Sequence, residues 1–284
     1  MTPTVYIVVG PTAVGKTKYA IELAQSLKTE IISADARQCY QELNIGVARP
    51  SSLELATVPH HFIASHSIQD TVNAGVFEQY AFAKANELLT KFGAAVMVGG
   101  TGLYIKAFVE GMDQIPEIDP AIRIQIQQEV STKGIDWLQG QVKQLDPDYW
   151  AQADQGEQQN TQRLSRALEV MTGTGQSILS FQNQTKKVRP FNIQKIGLEM
   201  PRAQLYDRIN QRVHQMDQMG LEEDVKALHP QFHLNALQTV GYQEWLPYLE
   251  GKQSKEAVIQ AIQQNTRHYA KRQMTWFKKD GAVN

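Results

Sequence analysis

Short apolar runs and helical stripes alternate over the first third of the chain. Residues 5–9 form an apolar, β-branch-rich run that stops at Gly10, the pattern of a strand buried on both faces. Residues 16–27 repeat at helical spacing, with Tyr19, Ala20, Leu23, Ala24 and Leu27 on one face. A second strand is predicted over 30–34, an amphipathic helix over 76–92, and a third strand over 94–98 that Gly99 and Gly100 terminate. Such alternation predicts a parallel sheet covered by helices, an α/β core.

Beyond Glu110 the texture changes. Polar, Gln-rich segments over 120–130, 135–145 and 161–171 have helical spacing with no strand pattern between them. The expectation is an all-helical insertion over 111–190, flanked by core segments 1–110 and 191–284. The later core segment is predicted to contribute another core strand over 192–200, then helices to the end.

Composition narrows the class. An apolar share of 42% with 20% charged residues suits a globular fold. The lone Cys39 excludes a disulfide framework and a cysteine-built zinc site. No apolar run approaches the roughly 18–20 residues of a membrane span, and the chain enters strand pattern without a basic leader, so a cytoplasmic protein is expected; a monomer is a separate expectation. The net charge of −1 argues mildly against nucleic acid. Against that, Arg267, Lys271, Arg272, Lys278 and Lys279 crowd the last helical stretch, where they form either a solvated basic face or a track for an RNA backbone.

The strongest local signal is Gly10-Pro-Thr-Ala-Val-Gly-Lys-Thr17, a P-loop placed between a strand and a helix as its mechanism requires. Its backbone N–H groups and the following helix N-terminus cradle a phosphate chain. Lys16 adds a point charge, and the Thr17 hydroxyl suits Mg²⁺. The core is therefore P-loop NTPase-like. Asp35 closes the second strand at the carboxyl edge of the sheet, where ligands bind, and reads as a general base, a metal-bound group or a helix cap. An ATPase usually carries an acid at the end of the third strand to hold Mg²⁺. Here that end is Gly99-Gly-Thr-Gly-Leu-Tyr104, which disfavours energy coupling. His60 and His61 have no acidic cluster near them in the sequence, and a structural reading is favoured over a metal site.

Taken together, the P-loop, Ser33-Ala-Asp-Ala-Arg-Gln-Cys-Tyr40, Ile45-Gly-Val-Ala-Arg-Pro50, Pro59-His-His61 and the Gly99 block resemble the tRNA dimethylallyltransferase family. Gln162-Arg-Leu-Ser-Arg-Ala-Leu-Glu-Val170, Thr239-Val-Gly-Tyr242 and Thr266-Arg-His-Tyr-Ala-Lys-Arg-Gln273 extend the resemblance along essentially the whole chain. It implies transfer of a dimethylallyl group from dimethylallyl diphosphate to N6 of the adenosine next to the anticodon (position 37) of tRNA. Gly10, Pro11, Thr12, Ala13, Val14, Gly15, Lys16 and Thr17 would then hold the donor diphosphate with Arg212, and Mg²⁺ would sit at Thr17. Asp35 would be the base, with Thr101 and Lys16 beside the reacting centre.

The same resemblance implies tRNA contacts in three stretches. Asp35, Ala36, Arg37 and Gln38 form the first, with Thr101 and Arg123. Gln162, Arg163, Leu164, Ser165 and Arg166 form the second; Gln238, Thr239, Val240, Gly241, Tyr242 and Gln243 form the third. The chain departs from the family pattern at Val14 and Ala36, where serine is common. It stops near Asn284 without the zinc-finger extension of eukaryotic relatives, which implies a bacterial type.

Adenine N6 is a weak nucleophile, so such chemistry needs orientation, a base and stabilisation of the departing diphosphate. Rival expectations are prenyl transfer to free adenine nucleotides, a small-molecule P-loop kinase, and an RNA-binding module without catalysis. A long insertion argues against the first two, and an acid at the sheet edge against the third.

Overall fold

The computed structural model describes residues 2–182 and 186–282. In the first third, strands β1 (Thr4–Val9), β2 (Ile31–Ala34), β3 (His60–His61) and β4 (Ala94–Gly99) alternate with helices α1 (Lys16–Leu27), α2 (Ser52–Thr57), α3 (Ala74–Phe92) and α4 (Gly102–Glu110). Next come α5 (Pro120–Leu145), α6 (Pro147–Gln152), α7 (Gln155–Gln158) and α8 (Thr161–Thr174). The chain closes with β5 (Asn192–Gly197), α9 (Arg202–Gln218), α10 (Leu221–Leu228), α11 (Leu246–Leu249) and α12 (Lys255–Lys279). Contacts divide it into two compact units, Met1–Gly111 with Lys187–Asn284, and Met112–Lys186.

The sheet of the first unit is parallel throughout, in the order β3-β2-β4-β1-β5. Its register decides the site. Val8 of β1 lies beside Val98 of β4, and Ala34 of β2 beside Gly99, so the chain leaves β1, β4 and β2 at one edge, side by side. Gly10, Gly100 and Asp35 are the residues that follow. Val5, Ile7, Ile32 and Met97 are fully buried in a core that Phe77, Leu88, Phe108 and Trp245 complete.

Several sequence expectations shift. Strand β3, with two residues, has too little length to show a period. On α1 the buried stripe is Ala20, Ile21 and Ala24, while Tyr19 is exposed. The core strand expected over 192–200 forms as β5, which joins the sheet at its edge beside β1 and leaves Asn192 and Gly197 exposed. The predicted helices 120–130 and 135–145 both form within α5 and are separated by a kink at Gly134, whose φ of 75° is non-helical.

Where the chain returns from the helical unit, Lys187 N donates to Glu110 O at 2.8 Å. Arg189 then anchors it. Its Nη2 meets Glu78 at 2.7 Å, its Nε donates to Phe108 O at 2.7 Å, and its guanidinium lies over the Phe82 ring. In the helical unit, Leu138, Val142, Leu164, Ala167 and Val170 form a separate, fully enclosed core.

Candidate active site

The P-loop runs from the end of β1 into α1. Gly15 caps α1 at φ 106°, a backbone angle suited to glycine, and Ala13 enters the left-handed region at φ 67°. Successive turns of this kind aim neighbouring N–H groups into one concavity, an anion nest. Ala13 N and Gly15 N find no acceptor among the described residues, and the first turn of α1 adds its own unpaired donors. Val14 N is spent on Pro11 O at 3.4 Å. The Val14 side chain packs with Leu205, Ile209 and Ala270 beneath the loop, so it supports the loop and does not line the cavity.

Three cations crowd this loop. Lys16 Nζ donates to Pro11 O at 2.8 Å, and Arg212 Nη1 reaches Thr12 Oγ1 at 3.4 Å. Arg208, one helical turn before Arg212 on α9, lines the same cavity. Burial pushes the Lys16 ammonium down to about 8; Asp35 opposes that and Arg212 adds to it. Burial and the neighbouring Arg208 lower Arg212 as well. A bound polyphosphate would offset both effects by favouring the charged forms.

Asp35 faces this space from the end of β2. Its Oδ1 accepts from Arg37 N at 2.9 Å and Gln38 N at 3.2 Å, a capping arrangement that fixes the carboxylate and leaves Oδ2 without a hydrogen-bond partner among the described residues. Thr101 Oγ1 accepts from Ala36 N at 3.0 Å, tying the end of β4 to the same turn. Tyr269 of α12 interacts with the Thr101 hydroxyl, and burial pushes its phenol up to about 12, so it stays a protonated donor.

Two cavities meet here. One, of about 360 Å³, contains Thr12, Lys16, Thr17, Arg208 and Arg212. The other, of about 410 Å³, is lined by Ala36, Arg37, Thr101, Gln238 to Gln243 and Arg272, leaving out Tyr242. Asp35, Thr12, Arg212 and Tyr269 belong to both walls. The geometry therefore offers an anion nest and a second chamber on the two sides of one carboxylate.

The remaining sequence-predicted residues divide. Gln38 Nε2 bonds Val47 O and Ala48 O, holding the wall of the cavity. The Tyr242 side chain is fully buried, with its hydroxyl donating to Asp224 at 2.8 Å, and Leu164 is fully buried in the helical core. Both expected tRNA contacts are corrected to scaffold positions as far as their side chains go, because neither reaches the surface. In the helical unit Arg123 and Arg166 each lie 3.2 Å from buried Glu169, and Arg163 pairs with Glu157. Gln162 and Ser165 lie beside Arg163 and Arg166 on α8.

Sequence reasoning missed Arg208, Tyr269 and Gln273. Arg208 had a signal, its spacing of one turn from Arg212. The other two lie on α12, far along the chain from the loops they touch.

Among the described residues no group of three His, Cys, Asp or Glu is placed to hold a metal ion. His60 gives Nδ1 to Val58 O at 2.7 Å, and His61 pairs with Glu30 at 2.7 Å.

A P-loop on a parallel sheet, with cations at the nest and an acid at the neighbouring strand end, defines a P-loop enzyme that works on a phosphorylated substrate. The family model described as IPP transferase matches residues 38–280. The chain is 49% identical to the tRNA dimethylallyltransferase of Christiangramia forsetii, over 97% of this chain and 90% of that protein. It is 42% identical to that of Cytophaga hutchinsonii, over 98% and 91%. The solved tRNA isopentenylpyrophosphate transferase of Bacillus halodurans is similar with a TM-score of 0.70 at 34% identity, covering 99% of this chain and 89% of that one. A eukaryotic dimethylallyltransferase solved acting on tRNA shares the fold with a TM-score of 0.80 at 23% identity, covering 97% and 70%. The protein belongs to the IPP transferase family.

Proposed function

We propose that this protein transfers the dimethylallyl group from dimethylallyl diphosphate to N6 of the adenosine next to the anticodon (position 37) of tRNA, releasing diphosphate, and that it does so as a cytoplasmic monomer. The observation that carries the reading is the shared wall of the two cavities, which puts Asp35 between an anion nest and a chamber open to a second substrate. The long helical unit supports an RNA acceptor over a free nucleotide, since sequence-specific RNA readers grip unstacked loops.

In this reading the nest amides, Lys16, Arg208 and Arg212 hold the diphosphate and neutralise the charge that grows on it. The adenine, drawn out of its stack, enters the second chamber. Its N6 attacks the allylic carbon, the carbon–oxygen bond breaks with its electron pair going to diphosphate, and the N6 proton passes to Asp35 Oδ2. Thr101 and Tyr269 keep the turn that carries Asp35 in place. Thr17 and the donor's own oxygens fit Mg²⁺, which takes few protein ligands beside phosphate and would supply further charge neutralisation.

The test is incubation with dimethylallyl diphosphate, Mg²⁺ and unmodified tRNA, followed by nucleoside mass analysis. AMP and ATP serve as rival substrates in parallel. Prenyl-adenosine in tRNA with neither prenyl-AMP nor phosphate release from ATP is the expected result. ATP turnover stimulated by tRNA without prenyl transfer would overturn it.

A further inference from the structure

The P-loop does not offer all of its donors to a ligand. Thr12 N donates to Gln273 Oε1 at 2.8 Å, and Gln273 Nε2 donates to Gly100 O at 3.0 Å. Gln273 is 6% exposed and reaches from α12 into the gap between the loop and the end of β4. Having one end on a donor and the other on an acceptor fixes the orientation of its amide. A Cβ on Gly100 would lie 2.1 Å from Gln273 Nε2, so the gap exists only because residue 100 has no side chain. The same position is 3.8 Å from Lys16 Nζ, which places the amide next to the cation of the nest.

That location has a meaning on a P-loop. A phosphate chain starts at the helix N-terminus and runs back along the loop amides, with the lysine reaching its outer phosphates. Thr12 precedes the helix start at Lys16, so its N–H lies at the outer end of the nest. We propose that Gln273 is a specificity-determining stopper: its amide fills the position beyond a second phosphate and takes the N–H that a third would need. The inference rests on the reading that the nest holds a diphosphate. A third phosphate would face the lone pairs of Gln273 Oε1 and would have to displace two satisfied hydrogen bonds, one of them buried. A diphosphate ester leaves both bonds intact. The stopper is neutral, so it excludes by occupancy without repelling the phosphates that belong there.

Calorimetric titration of the whole protein with inorganic pyrophosphate and inorganic triphosphate, both with Mg²⁺, tests this. The unaltered protein should prefer pyrophosphate by about tenfold or more, and Gln273→Ala should reduce that ratio of Kd values by about tenfold. A residue that merely straps α12 to the loop would lower thermal stability and leave the ratio where it was. An unchanged ratio in folded Gln273→Ala overturns the proposal. So does equal affinity of the unaltered protein for the two probes, a measurement that remains decisive if the variant fails to fold. Prenyl transfer by the unaltered protein is scored separately. A pyrophosphate preference that depends on Gln273 without prenyl transfer would support the stopper while overturning the proposed donor.

Discussion

The cations beside the P-loop and the arginines of the helical unit are held in opposite ways. Beside the P-loop, Lys16, Arg208 and Arg212 share one cavity, and no ion pair of the described residues includes any of them. In the helical unit Arg163 pairs with Glu157, and Arg123 and Arg166 share the buried Glu169. The first arrangement holds cations against burial and mutual repulsion, a cost that a bound polyphosphate would offset. The second is neutralised in advance, and a phosphate backbone has to compete with Glu157 and Glu169. In the proposed function, binding energy for the donor would thus sit in cations without a counter-charge, and binding to RNA through these arginines would depend on exchange between ion pairs.

The largest effect is expected at the one acid shared by both cavity walls. Asp35→Asn keeps the Oδ1 acceptor for Arg37 N and Gln38 N but abolishes the base, so single-turnover transfer should fall ~10²–10⁴-fold. Removing a negative charge beside Lys16 should leave the donor bound at least as tightly. A near-normal rate would sink the division of labour between the acid and the cations. Arg212→Ala comes next, with a loss of about 10²-fold in kcat/KM for the donor, measured by steady-state kinetics at saturating tRNA. An unaffected donor KM and kcat would show that the cluster does not carry diphosphate binding.

The state of Lys16 gives a pH test with a definite sign. Its ammonium is held down to about 8, so it is charged below that pH and neutral above it, while the anionic donor binds the charged form. Donor affinity should therefore weaken as pH rises, by about tenfold between pH 7 and 9. Titration at both values checks this, and a flat profile would place Lys16 outside the binding site. The smallest effect is expected in the helical unit. Arg163→Ala with Arg166→Ala should raise the tRNA Kd about three- to tenfold and flatten its salt dependence, because these arginines already have partners. A drop in folding stability with unchanged tRNA binding would assign them wholly to Glu157 and Glu169.

How far the sequence could be read depends on how local the physics is. Strands β1 and β4 and the helix α3 announced themselves because a run or a period is complete within one segment. The P-loop was legible for the same reason: eight consecutive residues, a strand before and a helix after. Asp35 could be placed because a strand end is a position in the sheet. Gln273 and Tyr269 could not, because what makes them matter is the packing of α12 against loops from the opposite end of the chain. Tyr242 misled in the other direction. It stands in a motif that resembles an RNA-contacting stretch, yet its ring is enclosed, and its hydroxyl holds Asp224 and Asn44 N together. The polarity of β5 hid its edge position until its single neighbour was seen.

The bond from Lys187 N to Glu110 O has an evolutionary reading. A segment that departs and returns at neighbouring points behaves like a long surface loop, and the entropy of closing such a loop grows only by about 0.6 kcal/mol for each doubling of its length. Residues 112–186 could therefore have been acquired, lengthened or exchanged in a lineage without any strand of the sheet changing its neighbour. Arg189, clamped on Glu78 just after the junction, marks the boundary at which that freedom ends.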